Sequence, residues 1–215
     1  MPECKKLYHG SRCAGVLNEL NPSFPSQEKN GILDLWLFAT HRLDQAMLFA
    51  TPMSRGGSFL TTLDGRSDGS SLVFFANETA SDLFSRPVRG RVYELPPSGF
   101  QRVIGRDGIP LREWVRAGKL EIPVQTPLVI SSYQQVMQAG VQILTLHPNA
   151  PKKYLADDLP QENTADVLGR VLAQPNSPLV WQNQVHNAGT DKAILKALQT
   201  AVKQLRRRRG GYPQP

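Results

Sequence analysis

Apolar residues in this 215-residue chain come in short bursts, such as residues 35–39 (LWLFA) and 72–76 (LVFFA), and turn formers stop most of them within a few positions. Bursts of that length make buried strands or one face of a short helix. They fall far short of the roughly 20 consecutive apolar residues that a membrane-spanning helix needs. Gly and Pro, at 17 each, favour many short elements over a bundle of long helices. Hydrophobic residues still make up 40% of the chain and charged ones 20%, the balance of a chain with a real core.

Residues 5–11 predict a strand that stops at Gly10-Ser11, with Tyr8 and His9 near its end. A polar, proline-containing loop over 21–30 leads to a second buried strand at 33–39. Thr40 is expected to cap a short amphipathic helix whose stripe is Leu43, Ala46, Met47 and Ala50, closed by Thr51-Pro52. Residues 53–71, dominated by Gly, Ser, Thr and Asp, predict an exposed loop. Strands are expected at 72–75, 90–95, 112–115 and 126–130. Ser131-Ser132 then cap a helix over 133–139 that Gly140 ends, and 141–146 form a last strand. Short strands mixed with short helices at this spacing give an α+β fold, not a doubly wound α/β one.

Residues 148–190 are expected to be loop-rich, with one helix near 164–173. The clearest helix is 191–209, with Ile194, Leu195, Leu198, Ala201, Val202 and Leu205 on one face. The chain therefore divides into a body at 1–147, a connector at 148–190 and a basic C-terminal helix and tail at 191–215. Most of the net charge of +7 sits in that last piece, which has seven basic residues against one acid and leaves +1 for residues 1–190. Only the tail, with Arg206, Arg207, Arg208 and Arg209, has an electrostatic preference for a nucleic acid or an acidic partner. The first residues lack the apolar segment of a secretory signal, so a cytoplasmic protein is expected, or one delivered to a host cell's cytoplasm by a specialised route. Cys4 and Cys13 match neither a disulfide framework nor a zinc motif, and the dispersed His41, His147 and His186 predict no metal site.

The ordered pieces Tyr8-His9-Gly10-Ser11 and Leu37-Phe38-Ala39-Thr40, the second running into a helix with Ala46 and Ala50, carry a family likeness. Over roughly residues 7–146 the chain resembles the NAD-dependent ADP-ribosyltransferases of the diphtheria-toxin and poly(ADP-ribose) polymerase type. In that family one strand ends in His-Gly, a second carries an aromatic residue before Phe-Ala, and a later strand opens with Glu and an aromatic residue. The resemblance implies split antiparallel sheets with short helices, and NAD as co-substrate. It also implies mono-ADP-ribosyl transfer to a macromolecule, a protein more than a nucleic acid, with release of nicotinamide.

Carried onto this chain, His9 would hydrogen-bond a ribose hydroxyl and the Gly10 main chain would grip the nicotinamide carboxamide, with Ser11 and Thr40 alongside. Where the family often has a stacking tyrosine this chain has Leu37. Either Leu37 forms a non-aromatic wall, or a one-residue shift makes Phe38 the stacking ring. Glu113-Trp114-Val115 best matches the Glu-aromatic strand start, with Glu121 and Glu94 as competing carboxylates. Breaking the nicotinamide–ribose bond builds positive charge on the ribose, and a carboxylate facing it lowers the barrier. Two other readings stand beside this one: an NAD glycohydrolase, and a non-catalytic protein that binds a nucleic acid or partner through the basic helix.

Overall fold

The computed structural model describes residues 5–22, 24–29, 32–53, 58–62, 71–104, 110–123, 125–150, 161–174, 176–183 and 188–207. The elements run in the order β1 (Leu7–Ser11), β2 (Glu19–Leu20), β3 (Phe24–Lys29), β4 (Ile32–Thr40), α1 (Leu43–Phe49), β5 (Ser58–Thr62), β6 (Leu72–Thr79), α2 (Ala80–Phe84) and β7 (Gly90–Leu95). Then come β8 (Gln101–Ile104), β9 (Pro110–Ala117), β10 (Leu120–Glu121), β11 (Leu128–Ile130), α3 (Tyr133–Gln138), β12 (Gln142–Leu146), α4 (Gln161–Leu172), β13 (Leu179–Trp181) and α5 (Ala188–Arg207). The fold is α+β. One sheet has the order β11-β7-β1-β4-β9-β8, with β3 also on β4; a second has β13-β12-β6-β5; β10 and β2 form a ribbon. Pairing among the described residues is antiparallel except where β12 lies parallel to β6.

Burial explains the layering. β6 is apolar on both faces and buried on both, as a central strand must be when each side of its sheet is covered. Leu72, Phe74 and Ala76 share a core with Ala46, Leu48 and Ala50 of α1, Tyr133 and Val136 of α3, and Val92 of β7. Val73 and Phe75 face the other way, into a core closed by Ala165 and Leu168 of α4 and Ile194, Leu198 and Val202 of α5. A third core lies on the far face of the first sheet, where Leu7, Leu37, Tyr93 and Leu95 pack against Leu20 and Leu120 of the ribbon.

Several local expectations change. Part of the expected loop 21–30 is β3, an edge-type strand whose FPSQEK sequence is polar and bulged near Pro25 and which β4 recruits by pairing. The expected loop 53–71 contains β5, where Phe59 is buried and packs its ring 6.2 Å from that of Phe75. The surrounding Gly, Ser and Asp masked this short, β-prone run. Thr40 does not cap α1, because β4 continues through it and Arg42 holds the N-cap position without a side-chain cap. Leu43 points outward at 40% exposure, and Gln45, Ala46, Met47 and Leu48 are the buried face of α1. Within 148–190 the chain builds α4 and β13, and β13 pairs with β12. The side chains of Arg206 and Arg207, and residues Arg208 and Arg209 altogether, lie outside the described residues.

The capping of α3 follows the sequence. The Ser132 side chain accepts from the Gln135 amide at 3.4 Å and Gln135 Oε1 accepts from the Ser132 amide at 3.2 Å, while Gly140 takes φ +102°. Ser132→Ala is expected to cost about 1 kcal/mol, read as a lower urea midpoint at unchanged slope. An unchanged midpoint would show that packing alone fixes α3. No helix among the described residues is long and apolar enough to cross a membrane.

Candidate functional site

Most of the candidate residues lie on β4 or on its neighbours β1 and β9, and the neighbours of β4 change along its length. On one side β9 accompanies it in regular register from Trp36 to Thr40. On the other side β3 pairs up to Trp36 and β1 pairs at Thr40, opposite Tyr8. Among the described residues no strand pairs with Leu37, Phe38 or Ala39 on that side. β1 keeps its register with β7 all the way from Leu7 to Ser11. The sheet is therefore parted between β1 and β4 directly after the Tyr8–Thr40 pair.

The imidazole of His9 bridges this parting. Its Nδ1 lies 2.7 Å from the carbonyl oxygen of Phe38. A carbonyl only accepts, so Nδ1 donates its proton, and in the neutral ring Nε2 is left as an acceptor. Burial pushes the His9 pKa below its ordinary 6.5, opposed in part by the bond to Phe38. The ring is thus neutral at neutral pH. Because the unfolded chain binds this proton more readily, the contribution to stability is present above 6.5 and is lost as pH falls through the lower folded value. Nε2 loses its acceptor role with the same proton. A ligand that donates a hydrogen bond to Nε2 is therefore expected to keep its affinity as pH falls through 6.5 and to lose it only below that, checked by calorimetric titration. A drop centred at or above 6.5 would contradict the depressed histidine.

Close packing sets the rest of the site. A Cβ at Gly10 would stand 2.0 Å from the carbonyl oxygen of Ala46, and one at Gly90 would stand 1.9 Å from that of Ala50. These two glycines let α1 lie directly on β1 and β7. Gly10 thus presents α1 with bare backbone on one face while its main chain borders the parting. The Ser11 hydroxyl accepts from the Cys13 amide at 3.2 Å and shapes the turn that follows. Thr40 is buried; its Oγ1 accepts from the Arg42 amide at 3.1 Å and donates to Gln45 Oε1 at 3.3 Å, tying the strand end to α1.

Directly opposed residues share a face of a sheet and successive residues alternate. Glu94, Tyr8, Thr40 and Glu113 therefore form one row on one face. His9 lies on the other face with Tyr93, Leu37, Ala39 and Trp114. Register thus sets Glu113 and His9 on opposite faces, one row and two strands apart. Leu37 shares the face of His9 but is only 1% exposed, packed in the core. Phe38 is half-buried on the face of Glu113, and the regular β4–β9 register leaves no bulge to turn it round. Glu94 is ion-paired with Lys6 at 2.9 Å, and Glu121 sits on the β10–β2 ribbon opposite Glu19. A hollow of about 250 Å³ lined by Trp36, Gly99, Gln101, Val115, Arg116 and Ala117 lies nearer the other end of β4 and touches none of the candidates. Arg91, which the sequence did not single out, stands opposite Ser11; only the strand register reveals it.

Comparison with known protein families, with curated proteins and with solved structures gives no match to this chain. Function is read from the site itself.

Proposed function

We propose that the chain is a mono-ADP-ribosyltransferase that moves ADP-ribose from NAD to a macromolecular target, a protein rather than a nucleic acid. The observation that carries this reading is the parting between β1 and β4, bridged by an imidazole held in one tautomer beside the backbone of Gly10. An acceptor Nε2 at that place suits a ribose hydroxyl, and a main chain without a side chain suits close approach of a carboxamide. The C1′–N bond of the nicotinamide ribose breaks and nicotinamide leaves with the bonding electrons. The target nucleophile then adds at C1′ and gives up its proton. Glu113 would hydrogen-bond the ribose 2′-hydroxyl and face the positive charge on the ring. Since Glu113 and His9 occupy opposite faces, the reading requires the ribose to sit where the parting gives access to both. Under this reading the enzyme works in a cytoplasm, its own or a host cell's.

The test is to incubate the purified chain with NAD labelled in its adenylate part, with and without cell lysate, and to follow nicotinamide release and label transfer together. Both signals, lost together in His9→Ala, are expected. Release without transfer would make the protein an NAD glycohydrolase. No release and no NAD binding would sink the enzymatic reading and favour a binding protein acting through its basic helix.

A further inference from the structure

We propose that Arg91, with Ser11 opposite it, binds the pyrophosphate of the dinucleotide held at His9; the identity of that dinucleotide rests on the NAD reading above. Removing a guanidinium from water is unfavourable unless an anion takes up its hydrogen bonds. Arg42 and Arg86 follow that rule, the first bonded to Asp44 at 2.7 Å and the second to Glu78. Arg91 does not. It is half-buried, its Nε is shielded from water without a hydrogen-bond partner, and Nη1 makes one long bond, 3.4 Å, to the carbonyl of Cys13. Among the described residues no carboxylate pairs with Arg91.

Register says what this unsatisfied cation overlooks. Arg91 is paired with Ser11 across the β1–β7 ladder and so shares its face, which is also the face of His9. Directly opposed Cβ atoms lie about 5 Å apart and diagonal ones about 7–8 Å, within the reach of an arginine. An anion over Ser11 would thus lie between the guanidinium and the imidazole. The Ser11 oxygen accepts from the Cys13 amide and keeps its own O–H to donate. The planar guanidinium fork matches two oxygens of a phosphate, and two linked phosphates supply oxygens for Arg91 and Ser11 together.

The experiment measures binding of inorganic pyrophosphate, ADP and adenosine by calorimetry to the full chain and to its R91Q, R91K and R170Q variants. Pyrophosphate and ADP are expected to bind the unaltered chain and to bind R91Q about ten- to a hundredfold more weakly. Adenosine affinity is expected to be the same in both. R91K, which keeps the charge without the fork, is expected to fall between, and also supplies the measurement if R91Q does not fold. R170Q removes an arginine that is 71% exposed on α4 and is expected to change nothing. Equal affinity of R91Q or R91K and the unaltered chain for pyrophosphate and ADP overturns the proposal, as does failure of the unaltered chain to bind either. Pyrophosphate binding that Arg91 controls, in a chain that releases no nicotinamide from NAD, upholds the anion site and removes only the transferase reading.

Discussion

Glu113→Gln is expected to lower nicotinamide release from NAD by about a hundredfold or more, the loss found when one preorganised electrostatic contact to a transition state is removed. Glutamine keeps the shape and most hydrogen-bonding capacity of the side chain and removes its charge, so the fold is expected to persist. Glu113 is half-buried in the row that contains Thr40 and Tyr8, at the end of β4 where the strand gives way to α1. Glu94 stands at the far end of the same row, on β7, exposed and ion-paired with Lys6, and Glu121 belongs to the separate ribbon. A fully active variant would remove Glu113 from the mechanism. A double variant with His9→Ala adds a sharper measure: groups that act on one ribose lose less together than the sum of their separate losses. Strict additivity would mean that the two faces act independently.

Gly90→Ala is expected to destabilise the protein by about 3 kcal/mol, the upper end of what overpacking costs. The added carbon would meet Ala50 O at 1.9 Å and Ala50 C at 2.7 Å, both main-chain atoms that no rotamer change can move. Relief requires α1 to lift away from β7, opening the core that Ala46, Leu48 and Ala50 share with Phe74. Gly15→Ala is the matched control, because its new carbon would meet only Cys13 Sγ, at 3.9 Å. Chemical unfolding of the pair separates steric crowding from a general intolerance of alanine for glycine. Stability of Gly90→Ala within about 0.5 kcal/mol of the parent would mean that α1 does not rest on the strands as closely as described.

What the sequence revealed depended on how local the cause was. The capping box at Ser132 and the turn at Gly140 are written within a few residues, and the structure has both. The α+β class was legible because short apolar bursts and turn residues set element length. β3 escaped because its own polar residues argue weakly for a strand and pairing supplies the rest, and β5 because the Gly, Ser and Asp around it masked a β-prone run. Thr40 misled because a capping residue and a strand end look alike until the partners Tyr8 and Glu113 are known. The same gap hid the site's geometry. Alternation along each strand was readable, but whether His9 and Glu113 share a face depends on register across β1, β4 and β9, set by contacts distant in sequence. Arg91 was invisible for that reason.

The arrangement of α4 and α5 bears on how the chain is made. A ribosome delivers β5 and β6 well before residues 161–202, so Phe59, Val73 and Phe75 face water until Ala165, Leu168, Ile194, Leu198 and Val202 arrive. Nascent chains with such a bare sheet face are the species that chaperones hold and that self-associate when they are not held. Pausing of translation between β6 and α5 would lengthen that exposure.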